Sequence, residues 1–217
     1  MKFPDAHKGV KKLYVAEIIS IIAAAIGIIS LIFSSIGLKN DGVLATMGLI
    51  ASLSAIALLV SFIMQLVGLK QGGEDEDQIR YAFYCSLLAI AFSLAVVVVR
   101  LFKENDTTVM IRNIFDIGVD VSNVLVVIYA LLGISALATK LGDGAMAQRG
   151  KKLSNVVTVL FVVSIAFNLF PNFFTNNAPD WAKVIASIIA IVAAIVELIA
   201  YVLIVVYYGK ASKMLEK

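Results

Sequence analysis

A chain of 217 residues that is 61% hydrophobic, 15% charged and has a mean hydropathy of +0.97 departs from the soluble norm of about 45–50% apolar and about 25% charged residues. A soluble fold of this size has no interior large enough to hide that surplus, so lipid is its natural solvent. The formal net charge of +3 is spread over termini and loops, which excludes a nucleic-acid surface built of basic residues interleaved with aromatics.

The first apolar stretch, Leu13–Leu38, follows Lys8, Lys11 and Lys12. It is far longer than the ~7–15-residue apolar core of a secretory leader, and no A-x-A-like cleavage site follows, so it reads as a retained first span. The second, Val43–Leu69, precedes the segment Gly72–Gln78, which reads as a loop carrying the acidic run Glu74–Asp77. Tyr81–Leu101 and Ile111–Ala138 are the third and fourth, the latter interrupted by Asp116 and Asp120. Leu153–Phe174, interrupted by Asn168 and Pro171, and Val184–Tyr208 complete the set. Each meets the ~17–25 residues needed to cross a ~30 Å hydrocarbon core. Only a helix satisfies its own backbone groups in lipid. The predicted fold class is therefore all-α, a polytopic membrane helical bundle of six transmembrane helices in one domain, residues 1–217.

Lysine and arginine set the orientation. With the N-terminus inside, thirteen basic residues fall in inner segments, and only Lys39, Arg100, Lys103, Arg112 and Lys183 fall outside. The expected topology is multi-pass in the plasma membrane with both termini cytoplasmic. Trp181, Phe170, Phe173 and Phe174 mark the outer interface, and Tyr207 and Tyr208 the inner one. Lys70, Lys140 and Lys210 recur at intervals of 70 residues, and the odd helices open alike: Gly9-Val10-Lys11-Lys12-Leu13, Arg80-Tyr81 and Gly150-Lys151-Lys152-Leu153. Three tandem hairpins (1–70, 71–147, 148–217) would give this pattern. So would any six-helix protein with positive inner loops.

An ionisable residue inside a span is a functional hypothesis by default. Counting 1.5 Å per residue from the basic anchors, Glu17 lies ~8 Å past Lys12, at the inner end, in a row with Ser20, Ala24 and Gly27. Asp120 lies ~30 Å from Lys140 and Asp116 farther out. With Arg100 and Arg112 as partners these aspartates form an outer charge cluster, or alternatively the mouth of a cation pathway. Glu197 lies ~20 Å from Lys210, well inside the hydrocarbon. Ala186, Ala190, Ala194 and Tyr201 share its face, a surface suited to close helix approach. Ser164 and Asn168, with Asn123, lie at comparable depth and could hydrogen-bond it. The candidate intramembrane polar site is thus Glu197, Asn168, Ser164, Tyr201 and Asn123, serving either as glue between helices or as a proton- or cation-binding carboxylate in a cavity.

No catalytic signature accompanies these residues. The single histidine, His7, and single cysteine, Cys85, exclude an internal disulfide and leave no His/Cys cluster for a metal. Asp143–Arg149 superficially resembles the start of the CDP-alcohol phosphatidyltransferase motif, but its spacing is wrong and the later Gly and paired Asp do not follow. Gly118-Val119-Asp120 lacks the second glycine of the intramembrane aspartyl protease signature. The P-x-[DE]-x-x-[KR] of mitochondrial carriers is missing, and Ala16, Ser20 and Ala24 are only weakly similar to the helix-1 face of vitamin-importer subunits. Asn105-Asp106-Thr107 forms a glycosylation sequon in a predicted outer loop. The expectation is a non-enzymatic protein without cofactor, bound to the lipid bilayer. It is either a small solute or ion transporter (or a subunit of one), or a scaffold, assembly or immunity protein acting through a protein partner or a second copy. Gly72–Gln78 is the expected partner handle.

Overall fold

The computed structural model describes residues 2–35, 41–103, 105–169 and 180–216. Within these, positions 31–35, 41–45, 164–169, 180–194 and 197 are described as helical backbone only. Six helices follow in order: α1 (Pro4–Ser35), α2 (Asp41–Asp75), α3 (Asp77–Arg100), α4 (Asp106–Lys140), α5 (Gly144–Leu169) and α6 (Asp180–Leu215). No strand occurs among the described residues. The fold is an all-helical bundle, and α1–α4 and α6 contain stretches long and apolar enough to cross a membrane. In α2 only 11% of the apolar window is buried. A soluble core helix would hide most of that surface, so Leu49, Leu53, Leu59 and Ile63, all exposed, face lipid. For α5, described side chains stop at Val163, and its crossing rests on the sequence argument.

The chain divides into two compact units, one comprising Met1–Asp75 with Tyr208–Lys217, the other Glu76–Tyr207. In the first, α1 packs along α2. The inward positions are Gly9, Leu13, Ala16, Ser20, Ala23, Gly27 and Ser30 on α1, and Met47, Ile50, Ser54, Ala57, Ser61, Met64, Gly68 and Gly72 on α2, all buried or half-buried. Steps of three and four alternate along α1 and along α2 as far as Gly68, a mean period of ~3.5, which is the seam of a left-handed coiled coil. Most of these residues are small, which suits association in lipid, where close backbone approach replaces the hydrophobic effect.

Helix starts differ from the hydropathy reading. α1 begins at Pro4 rather than Leu13. Proline suits a first helical position, where its missing N–H is not needed, and Asp5 complements the helix dipole in the first turn. The decisive group comes from far along the chain. Asp75 Oδ2 accepts hydrogen bonds from the backbone N–H groups of Asp5 (3.0 Å) and Ala6 (2.7 Å). At the same end, His7 Nδ1 lies 3.0 Å from the Ser212 carbonyl. A carbonyl only accepts, so His7 carries its proton on Nδ1.

The segment Gly72–Gln78 is not the loop its composition predicts. α2 runs to Asp75, α3 starts at Asp77, and only Glu76 between them is non-helical. Its carbonyl accepts from the N–H groups of Ile79 and Arg80. The acidic run is largely spent on structure: Asp75 caps α1, Glu76 (8% exposed) pairs with Lys140 at 2.7 Å, and Asp77 pairs with Arg80 at 3.2 Å.

In the second unit α3 packs along α4 and α4 along α5. Gly133 receives the side chain of Ile79, and Gly118 lies under the Phe92 ring. Phe92 also packs against Phe115, and Tyr81 against Tyr129. α4 ends in a Schellman motif: Gly142, at φ +80°, donates to Thr139 O, and Asp143 N donates to Ala138 O. Asp143 then caps α5 by accepting from Met146 N at 2.9 Å. Thus Asp143–Arg149 is the turn and first coils of a helical hairpin.

Candidate polar seam between α1 and α2

Polar side chains punctuate the α1–α2 seam in register. Ser61, fully buried, donates to the Ala16 carbonyl at 2.7 Å and lies 2.7 Å from the Ser20 hydroxyl. A hydroxyl carries one proton. Because Ser61 spends its own on Ala16, Ser20 is the donor in the Ser20–Ser61 bond. One turn toward the termini, Gln65 Nε2 donates to Glu17 Oε1 at 3.2 Å. In the other direction, Ser30 Oγ donates to Met47 O at 3.0 Å. Between these rungs an open apolar groove of about 520 Å³ runs along the pair, lined by Ile19, Ile22, Ala23 and Ile26 of α1 and Ile50, Leu53, Ser54 and Ala57 of α2. Ser54 lines it, and its buried hydroxyl has no hydrogen-bond partner among the described residues. An unsatisfied polar group is costly in a membrane interior.

The order from the terminal end is therefore carboxylate and carboxamide, paired hydroxyls, then an open groove with one hydroxyl unpartnered among the described residues. Glu17 and Gln65 lie ~8 Å past Lys12 and Lys70 respectively, at the edge of the hydrocarbon. Glu17 is half-buried, so its charge can be shared between headgroup water and the Gln65 amide. Of the row read from Glu17, Ser20 does face α2. Ala24, however, is exposed, and Gly27, though half-buried and in register with the seam, has open space beside it.

The side chains of Glu197, Asn168 and Ser164 lie outside the described residues. Tyr201 is half-buried on α6, and Asn123 lies on an exposed face of α4. In the outer cluster, Asp116 is half-buried and Asp120 exposed. Arg100 and Arg112 line one pocket together, and no ion pair joins Arg100 to either aspartate. The sequon residue Asn105 is the N-cap of α4: its side chain accepts from Thr108 N at 2.8 Å, while Asn105 N donates to Thr108 Oγ1 at 2.8 Å.

Gln65, Ser61 and Ser54 escape a search that begins with ionisable residues. Their signal is the alternation of small and hydroxyl residues at steps of three and four along α2. These apolar helices define a multi-pass membrane protein in contact with lipid. No family model matches the chain, and neither a curated protein nor a solved structure is detectably similar to it.

Proposed function

We propose that this chain is a small membrane transporter, or the membrane subunit of one, handling a small polar solute or a cation, with the α1–α2 seam lining part of the path. One observation carries the reading: a carboxylate, Glu17, stands at the membrane edge of a ladder of hydroxyls that leads to a groove where Ser54 has an unused hydroxyl. A carboxylate at the entrance favours cations or protonated solutes, and hydroxyls can replace water around them without adding charge. Both termini are assigned to the cytoplasm and the protein to the plasma membrane, on the basic-residue asymmetry. Glu197 is assigned a binding carboxylate near mid-membrane on its sequence depth, testable in the same assay.

Purified protein in proteoliposomes, screened with a panel of monovalent cations and small amines, should support flux that falls at least about tenfold in Glu17→Gln. Retained flux in that variant would remove Glu17 from the path. The scaffold reading keeps less support than the sequence offered it. With Asp75 and Glu76 occupied within their own units, the acidic handle reduces to the exposed Glu74 and Asp77.

A further inference from the structure

The groove along α1 and α2 is lined by apolar side chains except at one position, and no charged side chain lines it among the described residues. Its volume of about 520 Å³ falls within the ~300–1,000 Å³ of small-molecule sites. It runs from Ile19 to Ile26 on one helix and from Ile50 to Ala57 on the other, ~10 Å along each. Ile22 (55% exposed) and Leu53 (67% exposed) leave it open to lipid.

The exception is Ser54, 7% exposed, whose hydroxyl has no hydrogen-bond partner among the described residues. Other hydroxyls in the protein are spent within their own helix. Ser52 donates to Gly48 O, Ser122 to Gly118 O, Thr139 to Ser135 O and Thr158 to Ser154 O, each to the carbonyl four residues back. Ser20 and Ser61 bond across the seam instead. Ser54 takes neither course. A buried hydroxyl is costly until it is paired, and the groove that Ser54 lines is where a partner has room.

Depth narrows the ligand. Ser54 lies eleven residues from Gln65, ~16 Å farther into the membrane, about midway through a ~30 Å hydrocarbon core. A phospholipid holds its ester carbonyls at the edge of that core, so its acyl chain would fill the groove and leave Ser54 unpaired. An ammonium or a carboxylate would find no counter-charge among the lining residues. The ligand that fits is neutral and lipid-soluble, with a hydrogen-bond acceptor on an apolar frame. A quinone ring on an isoprenoid tail has this chemistry: its carbonyls accept, its flat ring packs against isoleucine, and it carries no charge.

We propose that this groove binds an isoprenoid quinone from the bilayer, with one ring carbonyl accepting a hydrogen bond from the Ser54 hydroxyl. The site stands on the groove alone, whether or not the seam carries a solute, and its test reads binding rather than flux. The detergent-purified full chain is titrated, by native mass spectrometry, with decylubiquinone or with decylbenzene, which has the tail and a ring but no carbonyl. Wild type should bind one decylubiquinone and prefer it over decylbenzene by about three- to tenfold, the scale of one neutral hydrogen bond. Ser54→Ala should lose that preference and hold decylbenzene as before. Because this change removes an unsatisfied hydroxyl, the ligand-free variant should keep or raise its thermal midpoint, which separates lost binding from lost folding. Ile22→Trp, which narrows the groove and keeps the hydroxyl, should weaken both probes. Equal affinity of the wild type for both probes would make this a groove for acyl chains and overturn the proposal. So would undiminished quinone binding in Ser54→Ala, no quinone binding at all, or a dimer that excludes the quinone.

Discussion

Gly9 has no room for a side chain: a methyl there would sit 2.5 Å from the Gly68 carbonyl oxygen and 2.6 Å from the Gly72 nitrogen. Since the obstacle is backbone, neither helix can yield by a rotamer change. Gly9→Ala should cost about 1–3 kcal/mol, the usual penalty of overpacking, read as a lower thermal midpoint in detergent. Asp75 is the second test at this scale. Its carboxylate serves two N–H groups of α1, so Asp75→Ala should cost about 1 kcal/mol, as other lost caps do, with the first turns of α1 becoming more susceptible to protease. Asp75→Asn, which keeps an acceptor oxygen, should recover part of that loss. Lys140→Met leaves the buried Glu76 without its cation and should destabilise by about 2 kcal/mol. The double variant Glu76→Gln/Lys140→Met should be less destabilised than the sum of the two single changes. None of these partnerships is visible from the sequence alone. Asp75 and Asp5 are 70 residues apart, and a run of four acids reads as solvated charge until its neighbours are known.

At the scale of the helices, hydropathy locates the apolar stretches because the bilayer dictates their length. It misplaces their ends, because α1 and α2 continue as helices through charged sequence held by tertiary contacts. α2, at 35 residues, is ~52 Å long against a ~30 Å core. The inward face of α1 is misjudged for a related reason. The row Glu17, Ser20, Ala24 and Gly27 takes the same steps of three and four as the pair, but its register is displaced: the seam runs through Ala16, Ser20 and Ala23, which leaves Ala24 exposed. The pairing makes a graded prediction at Ser61. Ser61→Ala removes two hydrogen bonds and should cost about 1 kcal/mol, as such bonds are worth little in lipid. Ser61→Leu, forced into a fully buried site, should separate the pair and lower the thermal midpoint much further. A Ser61→Leu protein as stable as Ser61→Ala would mean that α1 and α2 do not pack along this seam.

For the whole molecule, the membrane class is legible from composition because no soluble interior can absorb such an apolar excess. The activity is not, because polar residues in a helix bundle serve packing and passage alike, and only partners and cavities distinguish them. The most direct test of the account is the side of the membrane on which each turn lies. Cys85 is the only cysteine in the chain, so Cys85→Ser gives a background for single cysteines at positions 2, 74, 103, 143 and 213, probed with a membrane-impermeant maleimide. With both termini inside, position 103 should label in intact cells and the other four only after permeabilisation. Labelling of position 2, 74, 143 or 213 in intact cells, or protection of position 103, would contradict it.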